Sequence, residues 1–482
     1  MNNVLDPSGT RIVIVGGGPG GYEAALVAAQ LGAKVTLVER NDCGGSAVLT
    51  DVVPSKTLIA TAELMVNVAE STELGLRFSG SVGGDVADDL NAERTNTAVT
   101  VDLGAVNRRV KNLARAQSAD IRSGLVKAGV RLLKGHGRLT GPNAVEVESE
   151  DGSRQTVEAD TVLVSVGAHP RELDTALPDG ERIFTWTQLY ELETLPEKLI
   201  VVGSGVTGAE FASAYHALGS DVTLISSRDR VLPGEDKDAA EVLENVLRSR
   251  GMTVLSKSRA STVERTDDGV RVTLADGRIV DGSHCLMAVG SIPNTKDLGL
   301  EEMGVRLSES GHIEVDGVSR TSVAGVYAAG DCTGVLPLAS VAAMQGRIAM
   351  WHALGDAVSP LKLRNVSSNV FTNPEIATVG WTEQDIEDDA VQGVTVKLPL
   401  ATNARAKMQG IKDGFVKVFC RTGSGTVIGG VVVGPKASEL IFPIALALEH
   451  RLTVDQLALS FAVYPSLTGS LTEAARKLHK HA

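Results

Sequence analysis

The residues of this chain best suited to chemistry come as two glycine clusters, each set between a short apolar run and a helical stretch. Gly16-Gly17-Gly18-Pro19-Gly20-Gly21 follows the β-branched run Arg11-Ile12-Val13-Ile14-Val15. A helical stretch from Tyr22 to Leu31 comes next, and Gly32 ends it as a left-handed cap. Lys34-Val35-Thr36-Leu37-Val38 then reads as a second strand that closes on Glu39. In this spacing Gly16 allows a tight turn, Gly18 lets a pyrophosphate approach the backbone, and Gly21 lets helix and strand pack closely. The helix N-terminus offers free N–H groups and the positive end of its dipole to phosphates. Glu39 can accept hydrogen bonds from ribose hydroxyls, with Arg40 beside it as a further candidate contact.

The same pattern returns at Leu199-Ile200-Val201-Val202 followed by Gly203-Ser204-Gly205-Val206-Thr207-Gly208. Placing Gly203 on Gly16 puts Glu210 on Glu23, Leu218-Gly219 on Leu31-Gly32, and Val222-Thr223-Leu224 on Val35-Thr36-Leu37. A whole βαβ unit is therefore repeated, which implies two dinucleotides, one per domain. Gly203, Gly205 and Gly208 take the phosphate-binding roles of the second copy. The copies differ where Glu39 should recur: that position is Ser226, followed by Ser227, Arg228, Asp229 and Arg230. An acid there favours NAD, whereas hydroxyls and arginines suit the 2′-phosphate of NADP. A solvated polar loop is the other reading of the same residues.

The stretch Gly44-Gly45-Ser46-Ala47-Val48-Leu49-Thr50-Asp51-Val52-Val53-Pro54-Ser55-Lys56 resembles GG(T)CxxxxCxPSK, the redox helix of the flavoprotein disulfide reductases. Thr321-Ser322-Val323-Ala324-Gly325-Val326-Tyr327-Ala328-Ala329-Gly330-Asp331 is similar to that family's second FAD motif. The resemblance runs from Arg11 to Ala475 and implies FAD in the first unit and NADP(H), with NAD(H) as the alternative, in the second. It implies FAD contacts from Gly45, Ser46, Gly137, Gly167 and Asp331, and from the helix beginning near Ala339. Gly290 plays the role of Gly167 where the chain returns from the nucleotide domain. Lys56 matches the family lysine beside flavin N5, and Glu210 the acid that pairs with it. Both redox cysteines are absent, because Ala47 and Val52 hold their positions. The C-terminal HPxxxE motif, which supplies a His–Glu pair across the dimer interface, reads Tyr464-Pro465-Ser466-Leu467-Thr468-Gly469. Tyr464 is the candidate catalytic residue there, but a tyrosine of pKa near 10 is a poor general base at neutral pH.

These motifs imply an α/β fold: two Rossmann-like dinucleotide-binding domains and a C-terminal α+β dimerisation domain. The expected divisions are an FAD domain over 1–166, a NAD(P) domain over 167–290, a central segment completing the FAD domain over 291–360, and an interface domain over 361–482. Val106 to Ala128 has apolar residues at helical spacing and reads as a long amphipathic helix, whereas Ser79 to Asn96 reads as an exposed loop. Alternation around Ala144 to Glu148 suggests a small β meander near Asp151-Gly152. The net charge of −13 argues against nucleic acid or an anionic membrane as partner. No apolar run approaches a membrane span, and Met1 to Thr10 lacks the pattern of a signal peptide. Four scattered cysteines (Cys43, Cys285, Cys332, Cys420) give no metal site and no disulfide framework, so a reducing cytoplasm is expected.

With flavin and nicotinamide sites but no thiol relay, reduced flavin must discharge to something that reaches it directly. A planar quinone accepts two electrons without covalent catalysis. The expected function is therefore an FAD-dependent NAD(P)H:quinone oxidoreductase, a homodimer without disulfide reductase activity. A soluble pyridine nucleotide transhydrogenase and a non-enzymatic flavoprotein sensor or subunit are the alternatives.

Overall fold

The structure, a computed structural model, describes residues 9–76 and 99–479. The loop expected over Ser79 to Asn96 lies outside the described residues. Three five-stranded sheets organise the chain. The first is parallel, in the order Val326–Ala328, Thr161–Val164, Arg11–Val15, Lys34–Glu39, Arg131–Lys134. The second is also parallel, in the order Thr253–Leu255, Asp221–Ile225, Lys198–Val202, His284–Met287, Ile183–Thr185. Their central strands are almost wholly apolar and buried, as strands covered on both faces must be. The chain crosses between the two sheets on the antiparallel pair Ala168–Pro170 and Ser291–Pro293.

The repeat read in the sequence extends to backbone detail. Arg11 pairs with Lys34 as Lys198 pairs with Asp221. Gly16 N donates to Val38 O at 2.8 Å, and Gly203 N to Ile225 O at 3.0 Å. Gly16 and Gly203 both have positive φ, and each lies against a carbonyl, of Ser165 or Ala288, that leaves no room for a Cβ. Gly21 and Gly208 press on the carbonyls of Gly16 and Gly203 in the same way. Any side chain at these four positions would push the helix off the turn that its N-terminus must serve.

Each parallel sheet carries a three-stranded antiparallel meander, His136–Gly141, Ala144–Glu148 and Arg154–Glu158 in one, Ala260–Arg265, Val270–Leu274 and Ile279–Gly282 in the other. The long amphipathic helix spans Leu103–Lys127, three residues earlier at its start than expected, because Asp102 caps it by accepting from Ala105 N at 2.8 Å. The third sheet is antiparallel: Ser368–Val370, Glu375–Gly380, Val427–Gly434, Phe415–Arg421, Gly393–Pro399.

The helix Val52–Glu70, which carries Lys56, sits where these parts meet. Its Leu58 and Ala62 share one buried cluster with Ala209, Phe211 and Tyr215 of the helix Val206–Leu218 and with Phe415, Phe419 and Val431 of the third sheet. Pro54 is harmless in its first turn, where N–H groups have no intrahelical partner. Leu58 is fully buried, so truncating it to Ala should cost about 2–5 kcal/mol. Rigid packing of this helix is what makes the position of Lys56 a fixed quantity.

Candidate functional site

The frame around Ala47 begins with two left-handed glycines, Gly44 (φ 108°) and Gly45 (φ 59°). Gly44 N donates to Gly17 O at 2.8 Å, and Gly45 abuts Gly18, which joins the frame directly to the first glycine turn. A short helix, Gly45–Leu49, follows. Asp51 N then donates back to Ser46 O at 2.8 Å, and the long helix starts at Val52. Ser46 is exposed, while Ala47 and Val52 are half-buried.

Lys56 Nζ donates to Glu210 Oε2 at 2.8 Å. The other oxygen, Glu210 Oε1, accepts from Phe371 N at 2.8 Å, and the ammonium also lies 4.9 Å from the centre of the Phe371 ring. Glu210 is 3% exposed, while the Lys56 side chain keeps 27% exposure. A buried carboxylate thus fixes a cation that still reaches open space. An ammonium held in this way stabilises negative charge that develops beside it without reorganising. Phe371, from the third sheet's side of the chain, was not legible in the sequence because only the fold brings its N–H to Glu210.

A second carboxyl belongs to this neighbourhood. Burial pushes Asp51 up to about 6, against the pull of Lys56 and reinforced by the charges of Glu210 and Asp331. The signal for it was available: Asp51 is the sole acid in the Gly44–Lys56 frame. Burial also raises Asp331, whose carboxylate has no hydrogen-bond partner among the described residues. The loop behind it is held by Gln345 Oε1, which accepts from Gly330 N at 2.9 Å. The hydroxyls of Tyr190 and Tyr215 are buried close by and have no hydrogen-bond partner among the described residues. The phenol of Tyr190 is pushed well up by burial and by the charge of Asp51.

None of the four cysteines can replace the missing relay. All are buried and free. Burial raises the thiol of each, to about 11 for Cys332, so no thiolate stands ready at neutral pH.

The residues present fit a flavin dinucleotide. The first glycine turn leaves the N-terminus of the helix Pro19–Gln30 without a side-chain cap, open to phosphate. The partnerless carboxylate of Asp331 is suited to a hydroxyl donor. Glu39 accepts from Gly17 N at 2.6 Å and Asn41 N at 2.8 Å, so its carboxylate is held at the turn. Arg40 is exposed. Gly137 packs against Val15 and Val38 beneath the sheet end. Gly167 O accepts from Asn294 N at 3.0 Å, and Gly290 O from Arg171 N at 2.9 Å. Ala339 opens the helix Ala339–Ala353. Tyr464 stands apart: it is 86% exposed and makes no hydrogen bond or ion pair among the described residues.

A cavity of about 870 Å³ opens at the carboxyl ends of the second sheet. Val202, Gly203, Ile225, Ser227, Arg228 and Arg259 are among its lining. Two of the four residues expected for a 2′-phosphate do not line it. Ser226 is completely buried, its hydroxyl hydrogen-bonded to Ser204 Oγ at 2.7 Å and to the carbonyls of Arg228 and Arg230. The Arg230 guanidinium turns to Pro233 O at 3.3 Å. Both residues shape the loop, and nothing in the local pattern tells a loop-shaping serine from a ligand-facing one. Gly205 and Gly208 stand at the turn into the helix Val206–Leu218, which has no side-chain cap.

Comparisons with known proteins agree with this arrangement. Residues 10–346 match the family described as pyridine nucleotide-disulphide oxidoreductase, and residues 366–475 its dimerisation domain. A protein of Mycobacterium tuberculosis named NAD(P)H dehydrogenase (quinone) is 53% identical over 481 residues, 98% of this chain and 94% of its own. Dihydrolipoyl dehydrogenase of Geobacillus stearothermophilus is 33% identical over 470 residues, 97% of this chain and 95% of its own. The crystal structure of LpdA from Mycobacterium tuberculosis superposes with a TM-score of 0.90 at 53% identity, over 97% of this chain and 99% of that one. The flavoprotein disulfide reductase RclA of Escherichia coli, at 22% identity and a TM-score of 0.82 over 97% and 99%, speaks for the fold alone. On sequence and fold together, the chain belongs to the pyridine nucleotide-disulphide oxidoreductase family.

Proposed function

We propose that this chain is an FAD-dependent NAD(P)H dehydrogenase that reduces quinones and has no disulfide reductase activity. The observation that carries the reading is a buried-anchored Lys56–Glu210 pair beside a frame whose relay positions are Ala47 and Val52. A cation fixed in this way supplies a ready positive charge to a group that gains negative charge beside it. A disulfide reductase needs the thiols that are missing. The family depends on a flavin and a pyridine nucleotide, and the name of the 53% identical relative supports the quinone as acceptor.

Bound FAD supplies a two-electron relay between the nicotinamide and the acceptor. The chain's own contributions are separable. The glycine turn at Gly16–Gly21 receives the pyrophosphate, and Asp331 accepts from a hydroxyl of the bound group. Lys56 provides a fixed positive charge, oriented by Glu210. Gly203–Gly208 and the cavity beside Ser227 and Arg228 receive NADPH in preference to NADH. In balance, NAD(P)H, a proton and a quinone give NAD(P)⁺ and a hydroquinone.

A homodimer is part of the reading. Leu459, Phe461, Val463 and Tyr464 are each at least 79% exposed within the matched dimerisation domain, a run of apolar surface suited to a partner. No helix among the described residues is long and apolar enough to cross a membrane, and four reduced cysteines suit a cytoplasmic protein. Steady-state turnover of NADPH is the test. Sustained oxidation with a quinone is expected. Turnover only with an NAD⁺ analogue identifies a transhydrogenase, and a single reduction without turnover a sensor; either overturns the reading.

A further inference from the structure

The chain carries ten arginines between Gly167 and Gly290. Five are paired with carboxylates: Arg248, Arg250, Arg265, Arg271 and Arg278. Three more, Arg171, Arg182 and Arg230, give their guanidinium to backbone carbonyls. Arg228 and Arg259 are left, and among the described residues neither guanidinium has a hydrogen-bond or ion-pair partner. Both line the same cavity. In a protein of net charge −13, two free guanidiniums facing one space are an arrangement that an anion completes.

Their convergence follows from the sheet. Arg228 lies three residues past the strand Asp221–Ile225, and Arg259 four past its parallel neighbour Thr253–Leu255. The two loops leave the same edge and are stitched together: Ser226 N donates to Leu255 O at 2.9 Å, Lys257 N to Arg228 O at 2.7 Å, and Ser258 N to Ser226 O at 2.7 Å. The buried hydroxyl of Ser226 accepts from Arg228 N at 3.1 Å and fixes the turn that carries the first arginine. Arg278 is kept out by its pairing with Asp276 and Ser258 Oγ. The hydroxyl-bearing Ser227 and Ser261 line the same wall.

We infer that Arg259 acts with Arg228 as a two-armed clamp for the 2′-phosphate of NADPH, with Arg259 taking the part that the local sequence pattern gives to Arg230. The inference rests on the proposed preference for NADPH and adds a specificity-determining residue from outside the fingerprint. A phosphate monoester dianion has three terminal oxygens, enough to accept charge-assisted bonds from both guanidiniums at once. A 2′-hydroxyl is neutral and presents a single oxygen, so it cannot repay both guanidiniums with charge-assisted bonds.

The test is direct binding of two probes, 2′,5′-ADP and 5′-AMP, to the flavin-loaded protein by calorimetry. The wild type should prefer 2′,5′-ADP by well over tenfold. Arg259→Ala and Arg228→Ala should each lower affinity for 2′,5′-ADP by about tenfold or more and leave 5′-AMP unchanged. Arg230→Ala should change neither. Arg228 and Arg259 are exposed, so unaltered melting temperature and flavin content are expected for their variants. If Arg259→Ala binds 2′,5′-ADP like the wild type, or weakens both probes equally, the clamp is refuted while the NADPH preference stands. If the wild type does not distinguish the probes, the NADPH preference itself falls.

Discussion

Lys56 and Glu210 lie 154 positions apart in the chain and meet at 2.8 Å, one from the frame that follows the first dinucleotide turn, the other from the helix that follows the second. The repeat makes the pairing instructive. Glu23, the counterpart of Glu210 in the first copy, is also spent on a cation, Arg347, at 2.8 Å. That pair joins two helices of one unit, whereas Lys56–Glu210 joins the two units to each other. The same position thus ties helices together within a unit in the first copy and ties the two units to each other in the second.

Lys56→Met should therefore keep FAD and lose rate. Removing a preorganised charge of this kind costs a factor of about a hundred or more. Stopped-flow reduction by NADPH, followed at the flavin band, is expected to slow by that factor while flavin content is unchanged. Wild-type speed in the variant makes Lys56 a packing residue only.

Disulfides should not be substrates. Ala47 and Val52 offer no thiol, and the four cysteines elsewhere are buried with raised thiols. Lipoamide and glutathione disulfide are expected to turn over at background rates, and replacing all four cysteines by serine should leave quinone reduction intact. A cysteine whose loss abolishes turnover is a hidden relay, and the reading of the frame is then wrong.

How much of this was legible from the sequence depends on whether a residue's role is set locally. The glycine turns, Lys56 and Asp331 sit in motifs whose neighbours fix their geometry, and Lys56 and Asp331 both lie within electrostatic reach of Asp51. Ser226 and Arg230 looked like their equals but point elsewhere, because a loop's inside and outside are decided by the strand next door. Arg259 carries no local signal at all; parallel pairing of its strand with that of Arg228 makes it a neighbour. Phe371 reaches Glu210 only because the third sheet packs on the second unit. Asp51 was in plain view, but a charged residue in a motif frame reads as solvated until its burial is known.

Asp51 predicts a pH dependence whose sign is fixed. Its folded value of about 6 lies above the ordinary carboxyl value near 3.9, so folding binds the proton more tightly. Stability from this group is complete below about pH 4 and is lost as the pH rises through 6. The loss is about 3 kcal/mol at most. Asp51→Asn should raise the melting temperature at pH 7.5 and leave it unchanged at pH 4. An equal shift at both values assigns the effect to packing rather than to charge.

Lys417 gives the sharpest test of how the third sheet is joined to the nucleotide-binding unit. It lies in the strand Phe415–Arg421, its side chain is wholly buried, and its ammonium meets Asp236 at 2.9 Å, Asp238 at 2.8 Å and Glu383. Burial alone would pull this lysine down, but the hydrogen bonds it donates to Asp238, Glu383 and Asp236 outweigh it and hold the group above its usual value. Asp236 has a second duty as the cap of the helix Lys237–Ser249, accepting from Ala239 N at 3.1 Å. Lys417→Met would leave three carboxylates facing one another with only Lys397, at 2.8 Å from Asp238, to offset them. Breaking a buried pair from one side costs about 3–5 kcal/mol, and Asp236, 6% exposed, is the carboxylate left buried without its cation. Urea unfolding of the flavin-loaded protein should show that loss. Adding Asp236→Asn and Glu383→Gln to Lys417→Met should recover most of it, since the uncompensated charges are then gone. If Lys417→Met alone costs less than about 1 kcal/mol, the cluster is no more than an exposed ion pair in its energetics, and the two units are held together by Phe415, Phe419 and their apolar neighbours instead.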